Sequence, residues 1–104
     1  MTGTFDTSVR SYRFYARDTP LITASFATCK LVFIDVGDGK TNFVSQGIII
    51  ANDHGANEIQ FSFDGITVEG DLLPNESMNF FTFRRKIVYL RGSVANEPFR
   101  VWAW

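Results

Sequence analysis

The sequence predicts an all-β protein, a single antiparallel β-sandwich of jelly-roll-like type. Three observations carry this. Short runs rich in β-branched and aromatic residues recur along 104 residues with turn signals between them. One stretch, Glu58 to Gly70, alternates apolar and polar residues on both sides of Asp64-Gly65. Helical periodicity is confined to one short segment near the N-terminus. The length suits one domain, and mean hydropathy is close to zero. Eleven phenylalanines give so small a chain an ample core.

The elements follow in chain order. Over Val9 to Arg17, Val9, Tyr12 and Ala16 fit a helical stripe, while Tyr12, Phe14 and Ala16 fit the period of an extended segment. The extended reading is preferred because the stretch is short for an isolated helix, so residues 1–20 are assigned to an N-terminal arm and 21–104 to the sandwich. Ala24 to Asp35 reads as a strand, closed by turn glycines at Gly37 and Gly39. Phe43 to Ala51 reads as a strand interrupted by Gly47, where a bulge or a close neighbour is expected. Asn52 to Asn57 is a loop by composition.

Asp64-Gly65 predicts a two-residue type I′ hairpin, in which Phe63 faces Ile66 and Phe61 faces Val68. Leu72 to Ser77 turns the chain into Met78 to Phe83. Lys86 to Arg91 is apolar at most positions, so both of its faces are expected to be covered, and Phe99 to Trp104 is the final strand. The expected core draws on Phe61, Phe63, Ile66, Val68, Ile87, Tyr89 and Val101.

Charge is segregated along the chain. The formal net charge is −1, but residues 31–79 carry eight carboxylates against Lys40, while residues 80–104 carry Arg84, Arg85, Lys86, Arg91 and Arg100 against Glu97. An acidic middle and a basic end can complement each other within one subunit or between copies. The longest apolar run, Gly47 to Ala51, is far short of the roughly 20 residues that span a bilayer. One cysteine closes no internal disulfide, and the residues after Met1 lack the pattern of a secretory signal, so synthesis in a reducing cytoplasm is expected.

Catalytic chemistry finds little support. Gly37-Asp38-Gly39-Lys40-Thr41 resembles the end of a phosphate loop, but Ile34 stands where the motif needs glycine and a strand follows where it needs a helix. His54 is the sole histidine and lies in a turn-forming Asp-His-Gly; nothing beside Cys29 would lower its thiol pKa. No zinc or calcium ligand spacing recurs, so no metal and no cofactor is assigned. Aromatic residues interleaved with basic ones, at Tyr12-Arg13-Phe14-Tyr15 and at Phe80 to Lys86, would suit single-stranded nucleic acid, a reading disfavoured by the net charge. Trp102 and Trp104, on one side of a strand, would suit a sugar platform, or equally a core or subunit contact.

The stretches Phe61-Ser62-Phe63-Asp64-Gly65-Ile66-Thr67-Val68-Glu69-Gly70-Asp71-Leu72, Arg84-Arg85-Lys86-Ile87-Val88-Tyr89-Leu90-Arg91 and Arg100-Val101-Trp102-Ala103-Trp104 resemble small structural proteins of tailed bacteriophage particles. The likeness covers residues 58–104 well and the first half loosely, with residues 19–24 as its best anchor there. It implies assembly rather than catalysis: a capsid cement or decoration protein in the virion, or a head-to-tail or tail component. The implied partners are the major capsid protein or other virion proteins and further copies of the chain, a trimer being favoured. Tyr12, Arg13, Phe14 and Tyr15 are assigned to a contact made by the arm, and Arg84, Arg85 and Trp104 to contacts with a neighbour.

Overall fold

The computed structural model describes residues 13–19 and 21–104. Eight strands run β1 (Phe14–Arg17), β2 (Lys30–Val32), β3 (Ile48–Asn52), β4 (Ile59–Ser62), β5 (Gly70–Leu72), β6 (Ser77–Phe80), β7 (Ile87–Gly92) and β8 (Phe99–Ala103), with no helix among the described residues. They form two antiparallel four-stranded sheets, in the order β1-β8-β3-β6 and β2-β7-β4-β5, which pack as a β-sandwich. The pairs β1–β8, β2–β7, β3–β6 and β4–β5 make the chain one long antiparallel ribbon folded back at β4–β5. Successive pairs of that ribbon alternate between the sheets, and β3–β8 and β4–β7 join it to itself.

The side-chain period of two decides what faces inward. In the first sheet Phe14, Ala103, Ile48 and Phe80 share one inner row, and Ala16, Val101, Ile50 and Met78 the next. In the second, Leu31 with Val88 and Phe61 with Leu90 face them. Phe33, Phe43, Phe83 and Cys29 fill the ends of the layer from connecting segments. Burial of each large apolar side chain of this kind contributes about 1.5–3 kcal/mol.

Several expectations are corrected. Phe14–Arg17, assigned to the arm, is a sheet strand paired with β8, because alternation of Phe14 and Ala16 lets both reach the core. The Tyr12 assignment lies outside the described residues. The β4–β5 pair is registered two residues away from the two-residue hairpin: Phe61 lies opposite Gly70, not Val68, and a loop spans 63–69. Asp64 is the reason. Its Oδ1 accepts from the N–H groups of Ile66 and Thr67 and lies 2.9 Å from the Ser62 hydroxyl, a local turn that outcompetes ladder pairing. Only Gly65 of the two turn residues has positive φ, at 82°. Ile66 is consequently 83% exposed, and Val68 leaves the core too. In β7 the inward residues are Val88 and Leu90, while Ile87 and Tyr89 are half-buried on the other face. Phe61 and Val101 are core as expected, and Phe63 packs against it.

Buried Ser45 and Asn52 are tied to backbone, whereas the Glu97 Oε2 has no hydrogen-bond partner among the described residues. The Asn52 side-chain amide donates toward the carbonyls of Asn57, Leu72 and Leu73, and its Oδ1 accepts from the His54 N–H, fastening the end of β3 to the β4–β5 ribbon. Glu97 is wholly buried; its Oε1 accepts from the Val94 N–H, and its carboxylate lies under Gly92. A Cβ at position 92 would stand 2.4 Å from Oε2, an impossible approach that glycine avoids. Gly92→Ala is therefore expected to cost about 1–3 kcal/mol, read as a lowered urea midpoint; an unchanged midpoint would mean that Glu97 can leave its site freely.

Candidate interaction surface

The basic triplet is placed by what lies on either side of it. Phe83 is buried among Phe33, Phe63 and Phe80, with ring centroids 6.1, 5.0 and 6.2 Å away, and Ile87 begins β7. Between them the backbone is pinned: the Ser45 N–H donates to the Arg85 carbonyl, the Phe83 N–H to Gln46 and the Phe33 N–H to Lys86. The buried Ser45 hydroxyl sits 2.8 and 3.0 Å from the carbonyls of Phe83 and Arg85. With the backbone so held, the side chains of Arg84, Arg85 and Lys86 are exposed. Together with Phe63 and Ile87 they line an open groove of about 310 Å³. The Arg85 guanidinium lies 5.2 Å from the Phe63 ring centroid, a cation–π contact that gives the groove an apolar wall.

Trp104 belongs to the same end of the molecule. Its carbonyl accepts from the N–H groups of Gln46 and Gly47, and its own N–H donates to Gly47. The indole lies on Gly47, where a Cβ would come within 2.4 Å of the ring, so the expected close neighbour of that glycine is Trp104. The segment 45–47 thus links Arg85 and Phe83 on one side to Trp104 on the other, bringing the three neighbour-contact assignments together. Arg13 adds a fourth basic group nearby: its guanidinium lies 5.3 Å from the ring centroid of Phe43, and Phe43 is joined through Phe33 to Lys86.

The residues assigned to the arm do not form one surface. Phe14 turns inward, 5.1 Å from Phe33, whereas Tyr15 turns outward, 46% exposed and 5.6 Å from Trp102. Strand alternation separates them. Trp102 also carries the Arg100 guanidinium over its ring at 5.1 Å, and Arg100 in turn makes a two-pronged ion pair with Asp53, at 2.7 and 2.8 Å. This outer face of the first sheet, with Tyr15, Ile49 and Trp102 in one row, is a second aromatic surface.

The groups considered for catalysis are occupied structurally. His54 Nδ1 accepts from the N–H groups of Ala56 and Asn57 and closes its own turn. The 35–41 segment is a turn stitched by an Ile34–Asn42 bridge, and the Asp38 carboxylate takes the N–H groups of Lys40 and Thr41 and the Thr41 hydroxyl. Those donors hold Asp38 down at about 2 and leave its backbone amides no freedom to cradle a phosphate. Cys29 is buried, and desolvation pushes its thiol up to about 11 despite a backbone hydrogen bond from Leu90. No group of three or more His, Cys, Asp or Glu side chains converges as a metal site among the described residues. Comparison with protein-family models, curated proteins and solved structures finds no match to the chain.

The sequence signal for this surface was the run from Phe83 to Ile87, where one inward aromatic precedes three charges. Phe63 as the groove wall carried no such signal, since it reaches Arg85 only through tertiary packing. Two measurements test the local account. Gly47→Ala should displace the Trp104 indole, costing about 1–3 kcal/mol and shifting tryptophan emission. For Cys29, the unfolded thiol ionises near 9.0 and the folded one near 11, so its contribution to stability is complete below pH 9 and is lost as pH rises toward 11. Urea midpoints should fall more steeply across that window in the native chain than in Cys29→Ala; parallel curves would contradict the burial of the thiol.

Proposed function

We propose that this chain is a structural component of a tailed-bacteriophage particle, a cement or decoration protein that binds the major capsid protein on the shell and associates with further copies of itself. The observation that carries the reading is the open groove of Arg84, Arg85 and Lys86 against Phe63, adjoining Trp104: a rigidly backed, charged and aromatic surface suited to gripping another protein. Its residues offer positive charge and ring faces, and none is a nucleophile or general base arranged beside a partner.

Two further features support it. The rolled ribbon, with its pairs β1–β8, β2–β7, β3–β6 and β4–β5, supports reading the sandwich as a jelly roll, an architecture used by viral capsid and lectin domains. That is analogy of fold, and fold does not by itself give function. The likeness of residues 58–104 to phage structural proteins supplies the biological setting, and the groove and Trp104 both fall inside that stretch. A sugar platform is less well supported, because Trp102 is engaged by Arg100 and Tyr15 and Trp104 by Gly47.

The test is composition and position. Purified particles carrying the chain should contain it in a copy number comparable with the major shell subunit, by quantitative mass spectrometry. A reconstruction of those particles should show density of its size on the shell. Absence from purified particles would refute the reading, and density confined to the tail or the head-to-tail joint would replace the cement role with that one.

A further inference from the structure

We infer that copies of this chain bind one another through a specific contact, in which the Arg84–Lys86 groove of one copy receives the acidic β5 edge, at Glu69 and Asp71, of another. This contact supplies the self-association in the particle reading above, and it depends on that reading only for its setting.

Several exposed charges are left without local partners. The chain holds ten Lys and Arg and eleven Asp and Glu. Among the described residues, however, the ion pair that forms is Arg100 with Asp53. Asp38 and Asp64 are spent on their own turns, Asp18 accepts from the Phe99 N–H, Glu76 accepts from the Leu73 N–H and Glu97 is buried. Glu58, Glu69 and Asp71 are exposed and make no side-chain hydrogen bond or ion pair with a described residue. Arg84 and Lys86 are in the same condition, and Arg85 touches only the Phe63 ring. Arg17, Lys30 and Lys40 are exposed and unpaired as well, but singly; the one run of consecutive free cations among the described residues is Arg84–Lys86, and the free carboxylates lie on or beside the β4–β5 pair.

Those places cannot satisfy each other within one chain. Asp71 lies opposite Gln60, which lies opposite Arg91, five residues beyond Lys86 on the β7 line. At about 3.3 Å per residue and 4.8 Å per strand, Asp71 stands roughly 17 Å along the sheet and two strands across from Lys86, and Glu69, level with Tyr89, roughly 10 Å along and two strands across. Both separations are beyond side-chain reach and exceed the Debye length at physiological salt, roughly 8 Å. The basic residue in the same row as Asp71 is Arg91, and it is already held by Gln60 and stacked 4.3 Å from the Phe26 ring centroid.

Between two chains the same separation becomes an asset. β5 is an outer strand of its sheet, so one side of its backbone is open for pairing, and Glu69 and Asp71 project from alternate positions, about 7 Å apart. The groove presents three cations on consecutive residues, whose mutual repulsion two carboxylates would relieve, beside an apolar wall that strengthens the attraction. A nucleic acid strand fits less well: the positive track is three residues long and the chain as a whole is negative. A contact of this size and polarity should be weak and sensitive to salt.

Static light scattering on the full chain tests it. In low salt the weight-average mass should rise above 11.8 kDa with concentration, and in about 0.5 M NaCl it should return to that value. Arg84→Glu with Arg85→Glu should hold the chain monomeric, as should Glu69→Lys with Asp71→Lys, each with unchanged circular dichroism since all four side chains are exposed, the first pair lowering the thermal midpoint only slightly through the lost Arg85–Phe63 contact. Mixing these two variants should restore association, because every altered end then meets its opposite. A native chain that stays monomeric at every concentration, association indifferent to salt, or a mixture that fails to associate would overturn the contact. A monomeric chain still found on particles would remove self-association from the proposed function and leave its shell-binding part standing.

Discussion

The structure depends on a connected cluster of phenylalanine rings between its two sheets. Phe14 from β1 and Phe80 from β6 reach in from one sheet, Phe61 from β4 reaches in from the other, and Phe33, Phe43, Phe63 and Phe83 close the layer from connecting segments. Each ring touches at least one other at 5.0–6.2 Å in tilted, edge-on or stacked geometry. The short strands, of three to six residues, offer few ladder hydrogen bonds apiece. Apolar burial and ring contact therefore hold this sandwich together more than any single sheet does.

That cluster also builds the outer surface. Because Phe83 is drawn inward and Ser45 clamps the carbonyls on both sides of Arg84, the following charges have one direction left, outward. Phe63 serves twice, packing on Phe61, Phe80 and Phe83 on one side and meeting the Arg85 guanidinium on the other. The core and the groove thus share a wall. The proposed binding at the groove would be preorganised by folding, with little ordering left to perform beyond the long basic side chains.

Glycine plays a matching part at two close approaches. Gly47 admits the Trp104 indole and Gly92 admits the Glu97 carboxylate, so in both cases a terminal or buried group is seated against bare backbone. The first fixes the last residue of β8's extension beside the basic surface. The second seals the far end of β7, the strand whose opposite end carries the groove.

By itself the sequence determined the class of fold, most strand positions and the identity of the basic run, because alternation, turn composition and charge are local properties written residue by residue. It also marked Gly47 as a position needing space, without naming the neighbour. Tertiary structure decided the rest. Residues 14–17 read as an arm because their two inward side chains look no different from those of a free extended segment until β8 is beside them. Asp64-Gly65 read as a tight hairpin because the sequence does not reveal that the Asp64 carboxylate captures two following amides and moves the register by two. Whether Ile87 or Val88 faces the core turned on which side of β7 met the other sheet, and nearly continuous apolar runs carry no phase to decide it. The separation of Glu69 and Asp71 from the groove is likewise a matter of strand order, a long-range property that no local pattern encodes.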